Sequence, residues 1–214
     1  MPSRNIPLVN NQIYHIYNRG SEKRSIFGSY KDQQRFLKTL AYYQLEGPKP
    51  KFSQFQRFKN IKTDPNQKIV EIICYCLMPN HFHLLIKQLK DNGITEFLSK
   101  LTNSYTKYYN TKFDRIGPLF QGEFKAVIIE TDEQLTHLSR YIHLNPLASL
   151  LTKDLSTWEW SSYQEYINNI NNLCAKKQIL GFFKSPKDYE QFVLDQAGYA
   201  QQLEAIKHKT IEEF

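Results

Sequence analysis

The chain has 214 residues and an apolar content of 41%, enough for one domain with an appendage or two small domains around a sizeable core. Lys and Arg outnumber Asp and Glu 28 to 21, the net charge is +7, and Tyr and Phe supply 14 residues each, a balance that suits phosphate contacts and base stacking. No apolar run approaches a membrane span and the N-terminus has no apolar targeting segment. Cys74, Cys76 and Cys174 form neither an even disulfide set nor a zinc spacing, so the expected setting is the reducing cytosol, away from any membrane.

In chain order, Gln12 to Asn18 alternates Ile13, His15 and Tyr17 against Tyr14, Ile16 and Asn18, the pattern of a strand. Arg19-Gly20 ends it. The stretch Asn18-Arg19-Gly20-Ser21-Glu22-Lys23-Arg24 is a polar loop with three cations, either a solvated turn or a clamp on a nucleic-acid backbone through Asn18, Arg19, Lys23 and Arg24. From about Tyr30 to Leu45, Phe36, Leu37, Leu40 and Tyr43 recur at helical spacing, and Gly47-Pro48 stops the helix. Residues 47–68 have no clear period and carry six cations against Asp64, with Phe52, Phe55 and Phe58 interleaved. This stretch reads as a peripheral basic insertion, or as a surface loop pinned to the core by its three Phe.

Two apolar runs follow, Ile69 to Leu77 and Phe82 to Ile86, joined by Pro79-Asn80, a turn pair. In the second strand Phe82, Leu84 and Ile86 point one way, and His81 and His83 point the other, side by side. Two imidazoles on one strand face can present two nitrogens to a metal ion, or can be an ordinary solvated pair. Cys74 and Cys76 read as small buried hydrophobes in the preceding strand. Gly93 to about Phe113 is a helix with a stripe of Ile94, Phe97, Leu98, Leu101, Tyr105, Tyr108 and Tyr109, and Phe124 to Ile129 is a fourth strand.

The order β-α-β-β-α-β is the ferredoxin-like pattern of an α+β fold. It implies an antiparallel four-stranded sheet with both helices on one face and a face left for a site. If Phe82, Leu84 and Ile86 pack under the helices, His81 and His83 lie on that other face.

Thr131-Asp132-Glu133 resembles a helix start, with Thr131 as N-cap and acids in the first turn. Leu135, Leu138 and Ile142 form a narrow stripe, and Asn145-Pro146 is expected to stop the helix. Tyr141 and Asn145 sit one turn apart, with Asn145 within the stripe, whereas His143 projects to nearly the opposite side and is not counted as a ligand. On this helix alone, Tyr141 reads as well as an aromatic packed on the sheet, and Asn145 as a C-terminal cap.

Taken together, His81-x-His83 and Tyr141-x-x-x-Asn145 resemble a single-tyrosine HUH nuclease. The wording is closer still to the REP-associated tyrosine transposases and their insertion-sequence relatives. The resemblance is carried by Tyr14-His15-Ile16-Tyr17-Asn18-Arg19-Gly20, Met78-Pro79-Asn80-His81-Phe82-His83-Leu84-Leu85, Ser104 to Asn110, Gly117-Pro118-Leu119-Phe120-Gln121-Gly122, Tyr141-Ile142-His143-Leu144-Asn145-Pro146 and Trp160-Ser161-Ser162-Tyr163. It runs from about residue 12 to 166.

The resemblance implies His81, His83 and Asn145 as ligands of Mg2+ or Mn2+, and Tyr141 as a nucleophile that cuts and rejoins single-stranded or hairpin DNA through a 5′-phosphotyrosine. It also implies a monomer or a homodimer. The chain departs from the pattern at Glu123, where family members often carry Arg. Two other classes stay open: a catalytically idle descendant that binds DNA or RNA, and a water-using metal phosphoesterase with a structural Tyr141.

Beyond Pro146 come Trp158 to Tyr166, an Asn-rich stretch, and short helices expected at Ala175 to Phe183, Pro186 to Gln196 and Gln201 onward. Ser185-Pro186 reads as an N-cap followed by Pro at the first helical position. The expected organisation is a transposase-like domain over 1–166 and a helical extension over 167–214.

Overall fold

The computed structural model describes residues 7–47, 50–57 and 64–202. Its elements are β1 (Ile13–Arg19), α1 (Tyr30–Tyr43), α2 (Phe52–Phe55), β2 (Val70–Met78), β3 (His81–Gln88), α3 (Gly93–Lys112), β4 (Lys125–Ile129), α4 (Asp132–Ala148), α5 (Tyr163–Ile167), α6 (Lys177–Leu180) and α7 (Pro186–Leu194). The four strands form one antiparallel sheet in the order β2-β3-β1-β4, the order expected of the ferredoxin-like pattern. The chain falls into two compact units: one runs to Ile72 and resumes over Pro79–Ile129, and the other comprises Ile73–Met78 and the chain from Glu130 onward.

In the first unit β1 is central. It pairs antiparallel with β3, with Tyr14 opposite Ile86, Ile16 opposite Leu84 and Asn18 opposite Phe82, and with β4, with Ile16 opposite Ala126. Directly opposed residues share a face, so Tyr14, Ile16, Phe82, Leu84 and Ile86 line one side, all fully buried. Helices α1 and α3 pack there. The Phe36 ring of α1 lies 5.2 Å from Phe82 and 5.1 Å from Tyr105 of α3, edge-on to the latter. Gly93 opens α3 because a β-carbon there would fall 2.4 Å from the Ile69 carbonyl oxygen.

The described part of 47–68 is a largely exposed stretch pinned to α1 by its aromatic residues. Phe52 is 3% exposed, its backbone N–H donates to Tyr43 Oη at 3.2 Å, and its ring sits 4.5 Å from the Arg35 guanidinium. Phe55 stacks 4.5 Å from Tyr42, whose hydroxyl donates to Pro50 O at 2.8 Å. The aromatic residues therefore act as pins onto α1; Phe58, Lys59 and Lys62 lie outside the described residues.

In the second unit, Thr131 caps α4 by accepting from Gln134 N at 3.1 Å. The helix does not stop at Asn145-Pro146 but continues to Ala148 with Pro146 inside it, so Asn145 is a helical residue and not a terminal cap. A proline so near the end removes one intrahelical donor, and the chain closes with Ser149 N donating to Asn145 O at 3.0 Å and Leu151 N to Pro146 O at 2.9 Å.

Segment 160–162 runs antiparallel along the end of β2, with Leu77 N donating to Trp160 O at 2.8 Å and Ser162 N to Tyr75 O at 3.0 Å. Cys74 and Cys76 are buried free thiols, as their place in an apolar strand suggests. Ser185 caps α7 with Pro186 in its first turn, and the unit's core gathers Ile142, Tyr163, Tyr166, Tyr189 and Val193. Among the described residues no helix is long and apolar enough to cross a membrane.

Candidate functional site

The strand register puts three histidines on the sheet face opposite α1 and α3. Tyr17 lies opposite His83 and Arg19 opposite His81, while His15 alternates onto the same face. The His81 and His83 rings stand edge to face with centroids 4.9 Å apart, and His15 lies nearly parallel to His83 at 5.1 Å. Tyr17 adjoins both His15 and His83, and Lys125 Nζ approaches its ring to 6.0 Å.

The Nδ1 atoms of the pair are engaged. His81 Nδ1 donates to Asn80 Oδ1 at 2.6 Å, and the amide is oriented because its Nδ2 donates to Lys23 O at 3.3 Å. A neutral imidazole with hydrogen on Nδ1 carries its lone pair on Nε2. His83 Nδ1 lies 2.9 Å from His15 Nε2, a hydrogen bond that needs one ring to accept. Burial holds His15 at a pKa of about 4, so it is neutral and able to accept. His83 is buried too, and burial first, then the neighbouring His81 and His15, hold its pKa well below the usual histidine value. Both histidines of the pair can thus present Nε2 as a ligand atom, the arrangement outer partners commonly impose on metal-binding histidines.

The loop after β1 buttresses this end of the sheet. Gly20 N donates to Asn80 O at 2.8 Å, and Ile26 N and Phe27 N both donate to Pro79 O, at 2.9 and 3.0 Å. A β-carbon on Gly20 would meet Arg24 O at 2.4 Å, so the close approach requires glycine. Asn18 is used inside the fold and does not face out as a clamp residue. It is 7% exposed, with Oδ1 accepting from Arg19 N at 2.8 Å and Nδ2 donating to Gly122 O at 3.2 Å. Arg24 pairs with Glu22 at 2.8 Å, Arg19 bonds to Gln121, and Arg19 and Lys23 are exposed.

The other two residues of the sequence-derived set stand on α4, in the second unit. Asn145 is 9% exposed, and its Nδ2 donates to Tyr141 O at 2.9 Å, which leaves Oδ1 as the atom suited to a cation. The Tyr141 side chain is 46% exposed. The structure therefore brings His81 and His83 together in one unit, and Tyr141 and Asn145 together in the other.

The competing tyrosines of α3 are spent on the fold. Tyr105 donates to Ile26 O at 2.6 Å, Tyr108 to Asp32 Oδ1 at 2.9 Å and Tyr109 to Ser25 O at 2.9 Å. Burial pushes the Tyr105 hydroxyl well up, and burial together with the Asp32 carboxylate raises Tyr108 to about 12. His143, set aside as a ligand in the sequence, is fully buried between Tyr189 Oη at 2.7 Å and Ser162 Oγ at 2.8 Å.

Sequence reasoning assigned no role to His15, Tyr17 or Asn80. The alternation of β1 already put His15 and Tyr17 on one face, but only the β1–β3 register shows that this is the histidine face. Among the described residues no group of three or more His, Cys, Asp or Glu is placed to hold a metal ion, so a cation bound at this pair needs a donor of another kind.

Residues 51–145 match the family described as IS200-like transposase. Among solved structures, the chain is similar to a REP-associated tyrosine transposase bound to a REP hairpin, with a TM-score of 0.58 and 12% identity over 78% of this chain and 86% of the other. A looser likeness, with a TM-score of 0.38 and 14% identity over 66% of this chain and 95% of the other, is to a structure assigned to a transposase of Deinococcus radiodurans. The first likeness is one of fold; the second is too loose to carry weight. No curated protein matches the chain.

Proposed function

We propose, from a chain whose residues 51–145 match the IS200-like transposase family, that the protein is a DNA-strand transferase. It cuts single-stranded or hairpin DNA with Tyr141 and rejoins it through a 5′-phosphotyrosine. The observation that carries this reading is the histidine pair, with each Nδ1 engaged by a neighbour and each Nε2 suited to a cation. The hairpin bound by the structurally similar REP-associated enzyme supports the choice of DNA form.

His81 and His83 through Nε2, and Asn145 through Oδ1, are the residues that would hold Mg2+ or Mn2+. Three neutral donors leave a dication its full charge, and the mixed nitrogen and oxygen set suits Mn2+ as well as Mg2+. When bound, the ion supplies Lewis-acid polarisation of the scissile phosphate.

The remaining work falls to the chain. Tyr141 Oη loses its proton and forms a bond to phosphorus as the bond to the 3′ oxygen breaks, and the departing 3′ oxygen takes up a proton. The phosphotyrosine conserves the phosphodiester energy, so a second 3′ hydroxyl can displace Tyr141 without a nucleotide cofactor. Asn80 and His15 position the two ligand rings, and Arg19 and Lys23 contribute positive charge at the same end of the sheet.

The test is a hairpin oligonucleotide with a single-stranded arm, incubated with Mg2+ or Mn2+ and run on a denaturing gel. A protein-linked DNA band and a fragment ending in a 3′ hydroxyl are expected. Cleavage without a linked band would favour a water-using phosphoesterase, and binding without cleavage an idle descendant.

A further inference from the structure

The turn that follows α3 has no part in the chemistry above. Phe113-Asp114-Arg115-Ile116-Gly117-Pro118 is tied down along its length. Phe113 N donates to Tyr109 O at 3.0 Å, Arg115 N to Asn110 O at 2.8 Å, and Asn110 Nδ2 to Gly117 O at 2.8 Å. The Arg115 guanidinium donates to Asn110 Oδ1 at 3.2 Å and lies 5.8 Å from the Tyr109 ring centroid. Asp114 and Gly117 adopt positive φ, of 48° and 95°, which fixes a sharp reversal. At its tip Ile116 is 97% exposed, the most exposed large apolar side chain among the described residues, and Phe113 is 44% exposed. A lone exposed isoleucine needs no explanation. A rigid turn that holds one out beside an exposed aromatic ring is a different object.

Its position and charge narrow the partner. Tyr109 Oη donates to Ser25 O at 2.9 Å, Ser21 N donates to Leu119 O at 2.9 Å, and Gly20 bridges Phe120. The residues that flank the turn are therefore bonded to the loop that follows Arg19, and Arg19 lies opposite His81 in the register. Turn and loop gather five cations, Arg19, Lys23, Arg24, Lys112 and Arg115, against the acids Glu22, Asp114 and Asp32, the last paired with Lys112 at 2.6 Å. Lys112 Nζ lies 4.7 Å from the Phe113 ring centroid. Cations flanking an aromatic ring and an aliphatic tip make a site for a base and its phosphate. Apolar side chains of this kind insert between base steps and unstack them, and aromatic faces accept the freed base.

We infer that Ile116 is a wedge at the foot of a DNA hairpin, and that Phe113 receives the base it unstacks. This rests on the DNA-processing reading above and adds to it a device that exposes a single strand at the histidine end of the sheet. Paired DNA presents no free base face, so the wedge selects the junction between stem and single strand over continuous duplex.

The test uses the full chain with EDTA present, so that no strand is cut, and a DNA hairpin with a 5′ single-stranded arm. 2-Aminopurine is placed at the foot of the stem or, as a control, in mid-stem. Fluorescence reports unstacking, and polarisation of a second label reports binding. Wild type should brighten the foot probe and leave the mid-stem probe unchanged. Ile116→Ser combined with Phe113→Ser should lose at least half of that rise and about five-fold or more in affinity, the effect of one lost stacking contact. Ile116→Trp should keep both at or above the wild-type level. Equal rise and affinity in the double-serine variant, or a loss with Trp equal to that with Ser, would overturn the wedge and leave the DNA reading standing. Failure of wild type to bind the hairpin at all would overturn both.

Discussion

His15 and His83 of the sheet face and His143 of α4 share a basicity lowered by burial, yet the two sites are built for opposite ends. Burial holds His143 at a pKa of about 3, and each ring nitrogen meets a hydroxyl. The bonds run on as a chain: His143 Nε2 bonds to Ser162 Oγ and Nδ1 to Tyr189 Oη, Tyr189 Oη donates to Ser139 Oγ, and Ser139 Oγ to Thr136 O. That histidine is a structural knot whose two nitrogens are both consumed. On the sheet, His81 leans on an amide and His83 on a second imidazole, each through Nδ1. Burial and a displaced pKa alone therefore do not mark a reactive histidine; the identity of the partners does.

Substitution should separate the two most sharply in activity. His81→Ala or His83→Ala is expected to lower DNA cleavage by about a thousandfold or more, the scale of a lost Lewis acid, with hairpin affinity within a few-fold of wild type. Single-turnover cleavage beside polarisation binding checks this. His143→Ala should do the reverse. Taking one partner each from Ser162 and Tyr189 and opening a small void should cost about 3 kcal/mol in urea unfolding. If His143→Ala kept full stability, the knot would be misread. His15→Ala addresses the positioning of His83 and should reduce cleavage about ten- to a hundredfold, with partial recovery at raised Mn2+.

Asp32 extends the comparison to a carboxylate. Burial opposes its ionisation, but hydrogen bonds from Lys112, Ser29 and Tyr108 and the Lys112 charge outweigh that and hold its pKa below the usual value. A depressed carboxylate stabilises the fold above its unfolded pKa, and that contribution is lost as pH falls through the folded value. Asp32→Asn should therefore be less stable than wild type at neutral pH, and the two should converge in acid; parallel stability curves would contradict this. The exposed Lys100–Glu96 pair marks the lower end of the scale, since Glu96→Gln should shift stability by about 0.5 kcal/mol or less.

Much of this was legible in the sequence because it was written in period. Alternation along β1 and β3 gave the strands and the face of His81 and His83, and the stripe of α3 identified the helix that covers the other side. What was not legible depended on partners distant in the chain. Asn80 reads as a turn residue until Lys23 O orients its amide toward His81. His15 gains its place from register, and Asn18 loses its expected outward role because Gly122 O lies beneath it. Pro146 reads as a stop, but so near the helix end it removes too little hydrogen bonding to break the last turn. The pinning of Phe52 and Phe55 is one of two readings the sequence supports, because three aromatic residues among six cations suit a core contact and a DNA contact equally.

The central claim is that Tyr141, among 14 tyrosines, is the residue that becomes bonded to DNA. The direct test is to trap the adduct with a hairpin oligonucleotide and Mn2+, digest with trypsin and nuclease, and map the modified peptide by mass spectrometry. The account predicts a nucleotide phosphate on the peptide that begins at Tyr141 and ends at Lys153, absent from Tyr141→Phe. A modified peptide containing Tyr105, Tyr108 or Tyr109, or an adduct that persists in Tyr141→Phe, would contradict it.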